Sequence, residues 1–314
     1  MNIKAMRLDQ FRPYALPVAL LLGSLFHGFC ARLQFLTPYL IFLILFMTLC
    51  DMDVREVRVK PMHIWLILFQ TGTALGFYFL LRPVNQVIAQ GTMMGILAPV
   101  AVSSTVIAVI LGAKMSNMIT YTILNNIVLA LTAPLIFTFA GGTSDITFLV
   151  SAWLIIKRVV PIIIFPLIAA LLCQRFFPKI RKGIVRFRNV PFYLWAFALT
   201  LVFGQTIEFI IHQDRSGIPV ILVMTLISLL ECVLLFSVGR WIGKKYGDRI
   251  GGGQAMGQKN TLLAVWMTQI YLYPMASIVP ATYVLWQNIW NSWQLWRVRA
   301  GGKVHQEQPP NATT

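Results

Sequence analysis

Three consecutive polar side chains interrupt an apolar stretch in the second half of the chain. Gln258, Lys259 and Asn260 follow a glycine-rich segment that starts at Gly251, and they precede an apolar run that ends at Tyr271. A run of about eleven residues is too short to cross a bilayer, which takes about 20. We therefore expect the three side chains to lie at depth in the membrane, where polar residues usually mark a substrate or ion site. The alternative is a lysine whose ammonium extends to the cytoplasmic interface.

A second interruption lies in the first half of the chain. Pro99 is followed by the hydroxyl residues Ser103, Ser104 and Thr105 in an otherwise apolar stretch. Proline removes one helix hydrogen bond and clashes with the preceding turn. The hydroxyl groups can satisfy the freed backbone positions or bind a ligand.

The composition excludes a soluble protein. Of the 314 residues, 58% are hydrophobic and only 11% are charged, whereas a soluble domain has about 45–50% apolar and about 25% charged residues. The net charge of +16 would suggest a nucleic-acid partner for a soluble protein. In so apolar a chain, the basic residues instead indicate membrane topology. We expect an integral protein of the lipid bilayer that binds no nucleic acid.

Ten stretches are long and apolar enough to be transmembrane helices, which predicts an all-α polytopic membrane protein. They cover residues 13–30, 33–50, 63–82, 91–112, 117–140, 153–174, 190–212, 217–240, 249–271 and 274–296. Residues 1–12 are predicted to be a cytoplasmic N-terminus, and residues 297–314 a disordered cytoplasmic tail.

The distribution of basic residues predicts the orientation. With the N-terminus in the cytoplasm, 20 of the 26 Lys and Arg residues fall on that side and three on the other. Cytoplasmic loops are enriched in Lys and Arg. Both termini are therefore predicted to be cytoplasmic, which requires an even number of helices. We expect the membrane to be a bacterial inner membrane.

The two interruptions lie in the fourth and ninth predicted helices, one in each half of the chain. Because they are five helices apart and five is odd, the second half must be inverted relative to the first. Broken helices at matching positions of inverted repeats point to the binding site of a transporter. The predicted 5+5 inverted repeat comprises residues 13–140 and 141–296.

With these features the sequence resembles the bile acid:sodium symporter family, within the wider group of bile, arsenite and riboflavin transporters. The resemblance rests on the ten spans, the inverted repeat, broken helices 4 and 9, and the segment from Trp153 to Leu172 with Pro161 and Pro166. It implies a core domain of helices 3–5 and 8–10 and a panel domain of helices 1, 2, 6 and 7. Substrate would bind between the two domains, where the broken helices cross.

The resemblance also implies positions for sodium ligands in the first half. Ser104 matches a family serine, and Thr105 stands where the family has a sodium-binding asparagine. Thr122 and Asn126 are the plausible matches to the ligands of the fifth helix, and their i, i+4 spacing places both on one helix face.

The ninth helix departs from the family at two positions. Ala255 stands where the family has a glutamate, and Lys259 stands where it has a glutamine. Both changes remove oxygen ligands, and an ammonium repels sodium, so we expect no sodium site of the family type and no other cofactor. Lys259 could replace the cation, exchange a proton and couple transport to it, or pair with an anionic substrate. Glu231, an isolated acid midway along the eighth span, either lines a wet cavity or is a counter-ion for Lys259.

The expected function is secondary transport of an organic anion, bile-acid-like or another small carboxylate, by alternating access and without sodium. A sodium- or proton-coupled symporter of the same family is the alternative. A membrane-embedded transferase is more remote, because the only close acidic pair, Asp51 and Asp53, lies in a charged loop. We predict that the protein is not an enzyme. The identity of the substrate and the oligomeric state stay open.

Overall fold

The computed structural model describes residues 15–52, 57–101, 104–141, 148–187, 189–212 and 218–301, and these residues form helices without any strand. The predicted N-terminus 1–12 lies outside the described residues, as do residues 302–314 of the predicted tail. The helices in chain order are α1 (Ala15–Leu25), α2 (His27–Arg32), α3 (Thr37–Asp51), α4 (Pro61–Leu81), α5 (Gln86–Leu97), α6 (Ser104–Ile110), α7 (Met115–Gly141), α8 (Phe148–Phe176), α9 (Pro178–Arg186), α10 (Val190–Ile211), α11 (Ile218–Lys245), α12 (Arg249–Gly257), α13 (Thr261–Tyr271) and α14 (Ile278–Gly301), with short 3-10 helices at Gln34–Leu36 and Pro274–Ser277.

Within the described residues, six helical segments are long and apolar enough to cross a membrane: Gln34–Asp51, Pro61–Leu81, Met115–Gly141, Ala152–Phe176, Val190–Ile211 and Ile218–Lys245. Large apolar side chains such as Leu21, Leu80 and Leu222 are exposed on the outside of the bundle. Lipid tails can cover such a surface, whereas water cannot do so without cost. The prediction of a helical, multi-pass membrane protein is confirmed. The count of ten spans, the inverted repeat and the two domains stay predictions.

The predicted fourth and ninth spans are both interrupted. The fourth consists of α5 and α6, with α5 ending at Leu97 and α6 beginning at Ser104. The ninth consists of α12 and α13, with α12 ending at Gly257 and α13 beginning at Thr261. Each span therefore contains a pair of half-helices, and the described residues between them, 98–101 and 258–260, lie outside any helix.

Glycines bring α12 close to α11. Gly239 and Gly243 lie one turn apart on α11 and face Gly252 on α12. A Cβ at Gly252 would lie 2.7 Å from the Cα of Gly243, so no larger residue fits there. Small residues at this spacing let helix backbones approach closely inside a membrane. This contact positions the half-helix that leads into the second interruption.

The segment between the sixth and seventh predicted spans contains the helix α9, which is not among the ten apolar stretches found in the sequence. Pro178 begins this helix, and proline suits the first helical position because its missing N–H has no partner there anyway. Arg181 of α9 donates from Nε to the carbonyl of Cys50 at 2.9 Å, which fixes α9 to the end of α3. The helix is too short and too charged to be a membrane span.

The last helix, α14, continues beyond residue 296, where the predicted span ends, to Gly301.

Candidate transport site

The two interruptions contact each other inside the bundle. An antiparallel bridge joins Val100 to Lys259. Its two hydrogen bonds run from the amide of Ala101 to the carbonyl of Gln258 at 3.0 Å, and from the amide of Asn260 to the carbonyl of Pro99 at 2.7 Å. Each non-helical segment thus satisfies backbone groups of the other, which a bilayer interior requires.

Side-chain amides from two further helices bind the centre of the bridge. The amide of Val100 donates to Oδ1 of Asn125 on α7 at 2.8 Å. The amide of Lys259 donates to Oε1 of Gln287 on α14, also at 2.8 Å, and Nε2 of Gln287 donates back to the Lys259 carbonyl at 3.3 Å. The two bridge partners therefore have equivalent support, each from the helix that follows its own broken span.

Gln70 on α4 holds the end of α5. Its Nε2 donates to the carbonyls of Leu97 at 2.9 Å and Ala98 at 3.0 Å. Its Oε1 accepts from the hydroxyl of Tyr121 at 2.7 Å and from Nδ2 of Asn125 at 3.2 Å. We did not single out Gln70, Asn125 or Gln287 from the sequence. A side-chain amide inside an apolar span was the signal that could have identified them, and Asn125 directly precedes Asn126, which we did single out.

The side chain of Lys259 is buried at the end of α5. It is 1% exposed, and its Nζ donates to the carbonyl of Ile96 at 2.8 Å. Ile96 lies in the last turn of α5, where carbonyl groups lack helical partners and carry the negative end of the helix dipole. An ammonium group therefore lies where these carbonyls would favour a cation. The lysine does not extend to the edge of the bundle.

Glu231 on α11 is also buried, at 4% exposure, and interacts electrostatically with Lys259. No ion pair within 4.0 Å joins the two side chains, and neither carboxylate oxygen has a hydrogen-bond partner in the ranges that the structure describes. The carboxylate lies against Gly95 of α5, where a Cβ would overlap it. Glu231 is thus a neighbour of Lys259 without being in direct contact with it.

Four predicted ligands on α6 and α7 have buried oxygens without partners among the described residues. These atoms are Ser104 Oγ, Thr105 Oγ1, Thr122 Oγ1 and Asn126 Oδ1. Nδ2 of Asn126 donates to the carbonyl of Thr122 at 2.8 Å, which turns the amide oxygen away from the helix backbone. Hydroxyl and amide oxygens are ligands that hard cations accept. Ser103 lies outside the described residues.

The oxygens of α6 and α7 and the bridge at Lys259 therefore differ in whether they leave room for a cation from solution. The unpartnered oxygens of α6 and α7 are of a type that sodium accepts, although they include no carboxylate, and Ala255 supplies no ligand atom from its side chain. At the bridge, the ammonium of Lys259 already bonds to the helix end. No group of three His, Cys, Asp or Glu side chains within the described ranges could hold a metal ion.

The side chains of Gln258 and Asn260 bind neighbouring parts of the bundle. Oε1 of Gln258 accepts from Nδ2 of Asn291 on α14. Oδ1 of Asn260 accepts from the amide of Leu263 at 3.2 Å and so caps α13. Asparagine is a favoured N-cap residue because its side chain satisfies a free N–H of the first turn. In this conformation both residues hold the helix ends in place.

An apolar helical bundle in which two half-helix pairs meet near buried polar groups is the architecture of a secondary transporter. A model of the Sodium Bile acid symporter family matches residues 7–213 of the chain. The match covers more than half of the chain, so the protein belongs to this family and is a membrane transporter of a small molecule. The match ends before α11, and Glu231 and Lys259 lie outside it. No curated protein matches the chain at a significant level.

Proposed function

We propose that the protein transports an organic anion, of the bile-acid type or another small carboxylate, by alternating access and without sodium. The bond from the Lys259 ammonium to the Ile96 carbonyl is the observation on which this proposal rests. The C-terminus of a helix carries roughly half a negative elementary charge. Because the balancing positive charge is part of the chain, the end of α5 needs no ion from solution.

The matching support of Val100 by Asn125 and of Lys259 by Gln287 favours an inverted repeat. Two helix pairs that meet at their breaks would form the fixed centre of a core domain, against which a panel domain moves. Transporters with inverted repeats alternate access by moving one such unit against the other.

The chemistry of the site favours an anion as substrate. Lys259 is buried at the crossing, and in its ammonium form it supplies a positive charge there. The hydroxyl groups of Ser104, Thr105 and Thr122 have no partners among the described residues, and each can donate a hydrogen bond to a carboxylate. An ammonium with several free donors matches an anionic headgroup better than a neutral or cationic one.

The proposed orientation places both termini in the cytoplasm of a bacterial inner membrane. Basic side chains gather at one end of the bundle, on α9 (Lys179, Arg181, Lys182 and Arg186) and at the end of α11 (Lys244 and Lys245). That pattern supports a cytoplasmic location for this end.

The test begins with a thermal-shift screen of the purified protein against cholate and small carboxylates, with and without sodium. Uptake of the best binder into proteoliposomes is then measured in sodium and in choline medium. We expect equal rates, and uptake that requires sodium would overturn the proposal.

A Lys259→Gln variant tests the role assigned to the ammonium. Removing the charge leaves the end of α5 without its cation, so we expect lower uptake that external sodium partly restores. Lys157→Gln is the control, because Lys157 stacks on Trp153 of its own helix at 5.1 Å from the ring centre. If Lys259→Gln responds to sodium no more than the wild type does, the proposed role of Lys259 is wrong.

A sodium-coupled symporter is the second candidate, and the unpartnered α6–α7 oxygens favour it. One sodium ion bound there would make uptake in choline medium much slower than in sodium medium. Thr122→Val would then abolish the sodium response, whereas under our proposal it lowers substrate binding equally in both media.

A further inference from the structure

Glu231 is a buried acid to which the transport proposal gives no role. Its carboxylate is 4% exposed, and both oxygens lack hydrogen-bond partners among the described residues. Burying an ionised carboxylate without hydrogen bonds is far more costly than burying a neutral carboxyl. We propose that Glu231 binds a proton in this conformation, and that binding of this proton is coupled through Lys259 to binding of the anionic substrate.

Glu231 and Lys259 approach the same turn of α5. The carboxyl of Glu231 lies against Gly95, and the ammonium of Lys259 bonds to the carbonyl of the next residue, Ile96. A side chain at position 95 would overlap the carboxyl, so the glycine makes room for it. The two groups are thus close enough to interact electrostatically, and the ammonium still has its own hydrogen bond.

Few other titratable groups face Glu231. Cys232 and Tyr283 interact with it, and both side chains are neutral in ordinary conditions. Among the helices packed against α11, α5 has no titratable residue. The remaining titratable residues on the described parts of α4, α12 and α14 have no electrostatic interaction with Glu231, and these are His63, Tyr78, Arg249 and Arg297. Among the described residues, Lys259 is therefore the charged group that responds to the protonation state of Glu231.

The proton changes the net charge of the site. With Glu231 protonated, the pair carries the single positive charge of Lys259 and attracts an anion. When the carboxyl gives its proton to water on opening of the site, carboxylate and ammonium neutralise each other and the attraction falls. Coupling between two binding sites is reciprocal, so a bound anion must in turn favour binding of the proton to Glu231. One proton and one monoanion would then move together without net charge.

Infrared spectroscopy of the purified protein tests the proton site without any substrate. The carbonyl stretch of a protonated carboxylic acid should be present at neutral pH in the wild type and absent in Glu231→Gln. Glu208→Gln, which changes a partly exposed acid of α10, should keep the band. A band that survives in Glu231→Gln, or that is missing from the wild type, would overturn the assignment.

The role of Lys259 is tested in the same spectra. Without the ammonium, the protonated form of Glu231 should persist to higher pH in Lys259→Gln. In Lys259→Arg, which keeps a positive charge, the Glu231 carboxyl should titrate as it does in the wild type. An unchanged titration in Lys259→Gln would show that the two groups are not coupled. Size-exclusion profiles confirm that each variant is folded.

Coupling to transport rests on the proposed function and has a separate readout. Anion added to lightly buffered proteoliposomes should make the medium more alkaline with the wild type, and should not do so with Glu231→Gln, which should still exchange anion. Anion uptake by the wild type without a pH change would refute the coupling. A complete lack of anion uptake would count against the proposed function, and the infrared result would still decide the proton site.

Discussion

Gln70 makes four hydrogen bonds that hold the first helix interruption in place. Two go to the carbonyls at the end of α5, and two come from Tyr121 and Asn125 on α7. Gln70→Leu keeps most of the side-chain volume and removes all four bonds. The carbonyls of Leu97 and Ala98 then have no donor, and Asn125 loses one of the two contacts that orient it.

The expected loss follows from the number of bonds. A side-chain hydrogen bond in a membrane protein contributes roughly 0.6 kcal/mol on average, and a typical one in proteins about 1 kcal/mol. Four bonds therefore predict that Gln70→Leu lowers the free energy of unfolding by about 2–4 kcal/mol.

Gln205→Leu on α10 is the matched control. Gln205 is 8% exposed, and neither of its side-chain atoms has a hydrogen-bond partner in the described part of the chain. The same substitution there removes a buried amide without breaking a bond, so stability should change by less than about 1 kcal/mol or rise. Denaturant unfolding of the two variants in detergent micelles measures the difference. Equal destabilisation by both substitutions would refute the reasoning, because burial rather than bonding would then determine the loss.

Two further perturbations test how the site is packed and how its half-helices are fixed. Gly95→Ala pushes a Cβ into the Glu231 carboxyl and should lower stability by about 1–3 kcal/mol, whereas Gly72→Ala, with nothing within 4 Å, should raise it by up to about 1 kcal/mol. Thermal unfolding measures the stability of both variants. If Gly95→Ala leaves stability unchanged, the Glu231 carboxyl can move aside. Asp248→Ala removes the N-cap of α12, whose Oδ1 accepts from the Gly251 amide at 2.9 Å. It also removes the bonds that Oδ2 accepts from the Lys114 amide at 3.3 Å and from Nδ2 of Asn117 at 2.7 Å, so it should cost about 1–4 kcal/mol in all. Asp51 is exposed, so Asp51→Ala should change the free energy of unfolding by less than about 0.5 kcal/mol. Similar losses in Asp248→Ala and Asp51→Ala would contradict the capping role of Asp248.

The positions of both interruptions could be predicted from residue types. Pro99 cannot donate a helix hydrogen bond, and Gly257 ends α12 directly before the three polar residues, so both breaks lie beside a helix-weakening residue. The glycines from Gly251 to Gly253 did not mark the break itself, because they lie inside α12. The burial of Lys259 was also predictable, because the remaining apolar run was too short to place it in water.

The contacts of these residues could not be predicted in the same way. We singled out Gln258 and Asn260 as ligands because they are polar, but their side chains bind α14 and cap α13. Gln70 was overlooked although it makes more bonds at the break than either of them. A lone polar residue has many possible partners, and only the packing of distant helices determines which of them it meets. The helix α9 was missed for a different reason, since its charge and shortness hide it from a search for apolar spans.

The sequence by itself determined the environment of this protein and the weak points of its helices. Shortage of charge requires a membrane, and proline or glycine combined with intramembrane polar residues marked the two broken helices, because each effect acts within a few residues. Proline alone did not mark a break, since Pro161 and Pro166 lie inside the continuous helix α8. The tertiary structure decided that the two breaks pair through Val100 and Lys259, residues distant in the chain. It also placed the ammonium of Lys259 at the end of α5 and the carboxyl of Glu231 one residue away along the same turn. Such placements depend on how whole helices pack, since a buried charge is stabilised only by the particular groups that packing brings within reach.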